Sequence, residues 1–235
     1  MEAGGLIGGI YRMLEWVRRF SLTNILWLFV NIPVIYFSFN LLYLKNIYGI
    51  VQTIIILLVL LPLLFFPATT ALFSVVRLWI ADHNDPSIIK SFFYYFKHYY
   101  IKSLLGGLMI VPIWGIFLFN FNYYSGKFGA LAIMIFIITA LFLFVITCYF
   151  FANTVHFEMK LFESLKSSIN LCFGNILHTM AIALTVFLII YVSFFQFTFL
   201  IPLCLGTASA YTAFFGYYYS LKHVQNMQGV KKFNV

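Results

Sequence analysis

Apolar residues run along this chain in long blocks, broken at intervals by short polar stretches. A helix needs ~20 residues to cross a hydrocarbon core of ~30 Å. The blocks give six segments of that order, over about 22–43, 50–76, 103–123, 128–157, 176–196 and 199–219. The last two belong to a single 44-residue run, 176–219, that contains no Lys, Arg, Asp or Glu. At ~1.5 Å per residue that run measures ~66 Å, enough for two crossings, and the turn is placed near Gln196-Phe197-Thr198. A β-barrel would need strands of ~10 residues alternating apolar and polar positions, and the unbroken blocks exclude that pattern.

The segments between the blocks have helical periodicity of their own. Ile7, Ile10, Tyr11, Leu14 and Val17 share a stripe in about 5–20, while Arg12, Glu15, Arg18 and Arg19 lie mostly off it. Glu15 and Arg19 form an i,i+4 pair in the favourable order. Over about 87–102, Ser87 caps a helix whose greasy face carries Ile88, Ile89, Phe92, Phe93, Phe96 and Tyr100, with Lys90 and Lys97 on the polar face. Over about 159–174, Leu161, Leu165, Ser168, Ile169 and Cys172 share one side, opposite Glu163, Lys166, Ser167 and Asn170. All three read as amphipathic helices lying at a membrane surface. Prolines punctuate the crossings. Pro33 lies in the first, Pro112 in the third, and Pro62 and Pro67 in the second, where two missing backbone donors predict a kink or break.

Charge gives this architecture a direction. Of the 14 Lys and Arg residues, only Lys45 and Lys127 fall on one side of the predicted membrane; the rest, and all six acidic residues, fall on the other. Basic residues resist translocation, so the basic side is cytoplasmic and both termini lie there. The net charge of +8 is thereby explained without a nucleic-acid partner. The composition, 63% hydrophobic and 9% charged, excludes a water-facing globular domain, in which ~25% of residues are charged. The reading is an all-α polytopic membrane protein, a single domain spanning 1–235. The N-terminus is expected to keep its first apolar run as a span, since that run exceeds a signal-peptide core and has no A-x-A site.

Chemistry is sparse. No phosphate-binding glycine loop, H-E-x-x-H or G-x-S-x-G occurs. Cys148, Cys172 and Cys204 are far apart and read as small hydrophobes. No cofactor is expected. Ionisable side chains inside a membrane mark ion pathways, whereas Arg77, Glu158 and His178 sit at span ends. Uncharged polar groups do lie within spans. Asn24 and Asn31, seven apart, share a face, and Gln52 opens the second span; such groups either join helices or line a polar cavity. On the last span Gly206, Ser209, Ala210, Ala213 and Gly216 form a stripe of small residues, a surface for close helix packing within the protein or against a partner.

A weak internal repeat is visible: span two, amphipathic helix, span three resembles span four, amphipathic helix, span five, either as a duplication or as the pattern that any hairpin returning through a basic loop shows. Two such parallel units are a transporter habit. The outer loops are too short to hold a ligand-catching domain.

The run from Phe66 to Trp79, with Pro67-Ala68-Thr69 and Val76-Arg77-Leu78-Trp79, is followed by Phe93-Tyr94-Tyr95-Phe96-Lys97. With Gly4-Gly5, Gly8-Gly9, Tyr11-Arg12 and Glu15-Trp16 near the start, these features resemble the YesL family of bacterial membrane proteins, a family classed as of unknown function. The resemblance implies a place in the bacterial plasma membrane and a part in carbohydrate uptake beside ABC importers. It supplies no catalytic residue. Pro67, Thr69, Arg77, Trp79, Phe92, Phe93, Phe96 and Lys97 then become the residues expected to carry the family motif or to dock a partner.

Three functions follow as expectations. The first is a non-enzymatic accessory subunit of an oligosaccharide importer, bound to its permease subunits or to copies of itself; the E-A-A…G loop of a permease is missing. The second is a self-contained transporter or channel for a small neutral solute. The third, an enzyme or lipid-handling protein using Asp82, His83 and Asp85 at the inner interface, is explained better as a polar turn ending in Pro86.

Overall fold

In a computed structural model the described residues are 6–81, 87–125, 129–157 and 159–228. The Asp82–His83–Asp85 turn, Lys127, Glu158, the Gly4–Gly5 pair and the Lys231–Lys232 tail fall outside them. The described chain is helical: α1 (Leu6–Val30), α2 (Ile32–Tyr43), α3 (Ile47–Leu60), a π-helical turn (Leu61–Phe65), α4 (Phe66–Ile80), α5 (Ile88–His98), α6 (Tyr100–Ser125), α7 (Gly129–His156), α8 (Leu161–Gly174), α9 (Ile176–Tyr191), a second π-helical turn (Val192–Gln196) and α10 (Leu200–Gln228). Among the described residues five helical stretches are long and apolar enough to cross a membrane, or six if the bent pair α1–α2 is one span.

The first boundary differs from the expected one. No break separates a surface helix from a span at residue 21; α1 runs straight through to Val30. Ser21, Leu22 and Thr23 include no helix breaker, so the change from charged to apolar side chains alters the surroundings of the helix and not its backbone. The break comes at Asn31, where the axis turns by 68°. Pro33 has no N–H to give to the carbonyl of Phe29, and the Asn31 amide donates to the carbonyl of Trp27 at 2.8 Å.

The second span holds the predicted disruption, and its form is a π-turn. Pro62 lies within the five-residue turn Leu61–Phe65 and Pro67 just after it, and the wider turn is closed by Phe66 N–H donating to Leu61 C=O. The extra residue in the turn lets the helix continue past two prolines that donate no backbone hydrogen bond. The result is one stretch, Ile47–Ile80, of 34 residues. The turn expected near 196–198 also appears, at 197–199 between the second π-turn and α10.

The core gathers around α4, which is buried from Phe66 to Val76 and again at Trp79. α6 lies against α4 and the π-turn because Gly107 presents no side chain: a Cβ there would sit 2.8 Å from Pro62 Cα and 2.9 Å from the Phe66 ring, while on its other side Gly106 admits the Phe150 ring of α7. Trp16 and Phe20 of α1 meet Trp79 of α4 and Tyr211 of α10 in an aromatic cluster with ring centroids 5.7–6.1 Å apart. In each of the two units α4–α5–α6 and α7–α8–α9, the middle helix packs mainly on the helix before it. Away from the core, large apolar side chains such as Phe39, Ile55, Phe119, Ile135, Leu184 and Phe187 are exposed. An apolar exterior of this extent belongs in a bilayer.

Candidate functional site

The end of α7 is tied to four other helices by side-chain hydrogen bonds. A helix leaves its last four carbonyls without intrahelical donors, and the partial negative charge there favours cations. Two arrive from neighbouring helices. Arg77 Nη1 of α4 donates to the Val155 carbonyl at 2.6 Å, and Lys102 Nζ of α6 donates to the Phe157 carbonyl at 3.3 Å.

One turn earlier on α7, Asn153 is fully buried and joins three helices. Its Oδ1 accepts from the Tyr217 hydroxyl of α10 at 2.7 Å, and its Nδ2 donates to Ser168 Oγ of α8 at 2.9 Å. The Tyr149 hydroxyl lies 3.0 Å from Ser220 Oγ, and Asn175 Nδ2 donates to the Ser220 carbonyl at 3.3 Å. Thr154 Oγ1, His156 Nδ1 and Ser164 Oγ are buried beside this network without a hydrogen-bond partner among the described residues. The arrangement can hold helix ends and bind polar groups. Among the described residues no cluster of three His, Cys, Asp or Glu could hold a metal.

α8 departs from the surface helix expected over 159–174. Ser164 and Ser168 face Asn153 near the end of α7, and Phe173 stacks on Phe142 at 5.4 Å. The helix therefore runs back along α7, burying Ser164, Ser168, Leu171 and Cys172. Small serines permit the close approach, and Asn153 Nδ2 donates to Ser168 Oγ and, at 3.4 Å, to the Ser164 carbonyl.

The residues singled out in the sequence are placed as follows. Pro67, Thr69, Arg77 and Trp79 lie on α4 and face inward; Thr69 Oγ1 accepts from Trp27 Nε1 at 3.1 Å. These four hold the bundle together and present no docking face. Phe92 of α5 is fully buried in the same core, so it too is internal; Phe96 is half-buried, while Phe93 and Lys97 are exposed. The greasy stripe is split because α5 buries Ile88 and Phe92 fully and packs Phe96 only partly against the core.

The small-residue stripe of α10 packs within the protein and serves two neighbours. Gly206 meets Asn24 and Trp27 of α1, Gly216 meets Ile182 of α9, and Ala210 and Ala213 are buried between, with Ser209 partly buried. Asn24, Asn31 and Gln52 do not converge on a cavity. Asn24 grips α10, donating to the carbonyls of Ile201 and Pro202 at 2.9 and 2.8 Å and accepting from Gly206 N–H at 2.8 Å and Thr207 N–H at 3.3 Å. Asn31 turns back on its own helix, and Gln52 is exposed. The Asn153–Tyr217–Ser168 network was not anticipated. Its signal was present as a solitary Asn inside the apolar block of α7 and the i,i+4 serines 164 and 168 of the next helix.

Apolar helices clad in exposed hydrophobic side chains, tied by buried polar contacts, define a multi-pass helical membrane protein. Comparison with known proteins assigns it further. A family model described as "Protein of unknown function, DUF624" matches residues 20–121, from the middle of α1 into α6. The chain is 33% identical over 189 residues to the uncharacterized protein YteU of Bacillus subtilis, covering 79% of this chain and 74% of that protein. It is 23% identical over 194 residues to the uncharacterized protein YesL of the same organism, covering 82% and 80%. The chain belongs to this YesL-like family. No solved structure matches it.

Proposed function

We propose that the chain is a non-enzymatic membrane subunit of the bacterial plasma membrane, with six spans and both termini cytoplasmic, serving as an accessory component of an ABC-type oligosaccharide importer. The observation that supports this is the outer face of α5. Ile88 and Phe92 anchor the helix in the core, leaving Phe93, Tyr94 and Lys97 exposed on a fixed support. Exposed aromatics beside a cation on a rigid helix suit a protein partner. Purification of the tagged protein in mild detergent, with mass spectrometry of what accompanies it, tests the reading. Stoichiometric importer permease that is lost on Phe93→Ala/Tyr94→Ala supports it; the protein alone, together with unimpaired growth of the deletion strain on every oligosaccharide, sinks it. Fusion of a reporter to each terminus tests the orientation.

A second reading, a self-contained carrier for a small neutral solute, draws on the π-turn at Leu61–Phe65, since interrupted helices commonly border transport sites. Uptake of neutral sugars into liposomes holding the purified protein would favour it over the first.

A further inference from the structure

We infer that the groove between α6, α7 and α8 is a binding site for one phospholipid with a phosphoethanolamine headgroup. The groove has a volume of about 470 Å³ and is walled by Ile110, Ile113, Leu143, Ile146, Leu165 and Ile169. That volume falls within the ~300–1,000 Å³ of small-ligand sites, and its walls suit a hydrocarbon chain. At the α8 side the apolar channel reaches Lys166 and Asn170. The same two residues, with Glu163 and Ser167, line the adjoining depression on the next face of the helix. An apolar trough thus opens directly onto a depression that carries four polar side chains beside Leu171 and Phe173, a layout that suits an amphiphile.

The charges of the patch select the headgroup. Lys166 and Glu163 are one turn apart, and the ion pair found among the described residues is Arg19 with Glu15 elsewhere. A cation and a carboxylate side by side complement a phosphate joined to an ammonium. A purely anionic headgroup would satisfy Lys166 and oppose Glu163. Asn170 and Ser167 add donors for phosphate and ester oxygens.

The site depends on the chain lying in a bilayer and not on any role beside an importer, so failure of either proposal leaves the other standing. The test is native mass spectrometry of the full chain with equal amounts of palmitoyl-oleoyl phosphatidylethanolamine and phosphatidylglycerol. One ethanolamine lipid per chain is expected, held about fivefold better than the glycerol lipid, the factor one interfacial charge commands. E163Q abolishes that preference without lowering total retention. K166Q lowers retention of both lipids about fivefold for the same reason. I169W fills the trough and displaces both. All three side chains are exposed, so these variants keep their fold. Equal or better retention of the glycerol lipid by the unaltered protein, or unchanged retention in K166Q or I169W, overturns the assignment.

Discussion

Replacing Asn24 by Ala is the sharpest test of how this bundle closes. The side chain joins the first helix to the last through three contacts of 2.8–2.9 Å and a longer one of 3.3 Å, all to backbone groups of α10. Hydrogen bonds between helices in a membrane average about 0.6 kcal/mol and reach about 1.7. Three short ones place the loss near 2 kcal/mol, a factor of about 30 in the folded-to-unfolded ratio. Asn24→Asp should cost more than Asn24→Ala. It keeps the acceptor for Gly206 N–H but turns an oxygen toward the carbonyls of Ile201 and Pro202, so the carboxyl must stay protonated or face unpaired acceptors. Asn31→Ala, which removes one bond within a helix, should cost about 0.6 kcal/mol or less, and Gln52→Ala should be neutral. Equilibrium unfolding in mixed detergent micelles ranks the four variants. If Asn24→Ala were as stable as Gln52→Ala, the view that polar residues in the spans act as helix clamps would be wrong.

Three other predictions follow. Gly107→Ala should destabilise by about 1–3 kcal/mol, because its Cβ would press on Pro62 backbone and the Phe66 ring, whereas Gly115→Ala, with nothing within 4 Å, should be neutral or stabilising by up to about 1 kcal/mol; thermal unfolding in detergent separates them. Arg77→Leu should lose about 1.5–3 kcal/mol with its charged hydrogen bond to α7, and Arg77→Lys should recover part of it, read by the same unfolding assay. Cys148 and Cys172 are buried and Cys204 is partly so; burial also pushes the Cys172 thiol above its ordinary range, so its thiolate forms only at higher pH. Maleimide labelling at neutral pH should therefore reach Cys204 first and leave Cys172 unmodified until the protein unfolds, with Cys172 labelling lagging behind a free thiol as pH is raised.

Apolar block lengths mark the long apolar helices and the turn at 197–199, and Pro62 with Pro67 marks the disturbed second span, because each depends on local sequence alone. Where a side chain's partner lies far along the chain, pattern reading failed. The shared face of Asn24 and Asn31 was visible, yet the backbone that Asn24 holds is 177–183 residues away. Phe92 and Phe93 look alike in a stripe, and only the position of α4 decides which of them is buried. The missed break at Asn31 has a different origin: charge patterning records what surrounds a helix, while the backbone turns where a donor is missing. Asn153 was overlooked because a lone amide in an apolar block has no meaning until two serines from α8 and a tyrosine from α10 are folded against it.

The bonds that close the end of α7 also carry information about timing. Arg77 and Lys102 precede the carbonyls they meet by 78 and 55 residues. At ribosomal rates of about 5–20 residues per second, those donors exist for roughly 3–16 seconds before their acceptors are made. During that interval each cation must stay hydrated, which keeps the ends of α4 and α6 at a water-facing surface. When α7 emerges, its exposed carbonyls meet donors already in place. The two cations thus act first as anchors for the helices that bear them and afterwards as the stop against which the next helix is set.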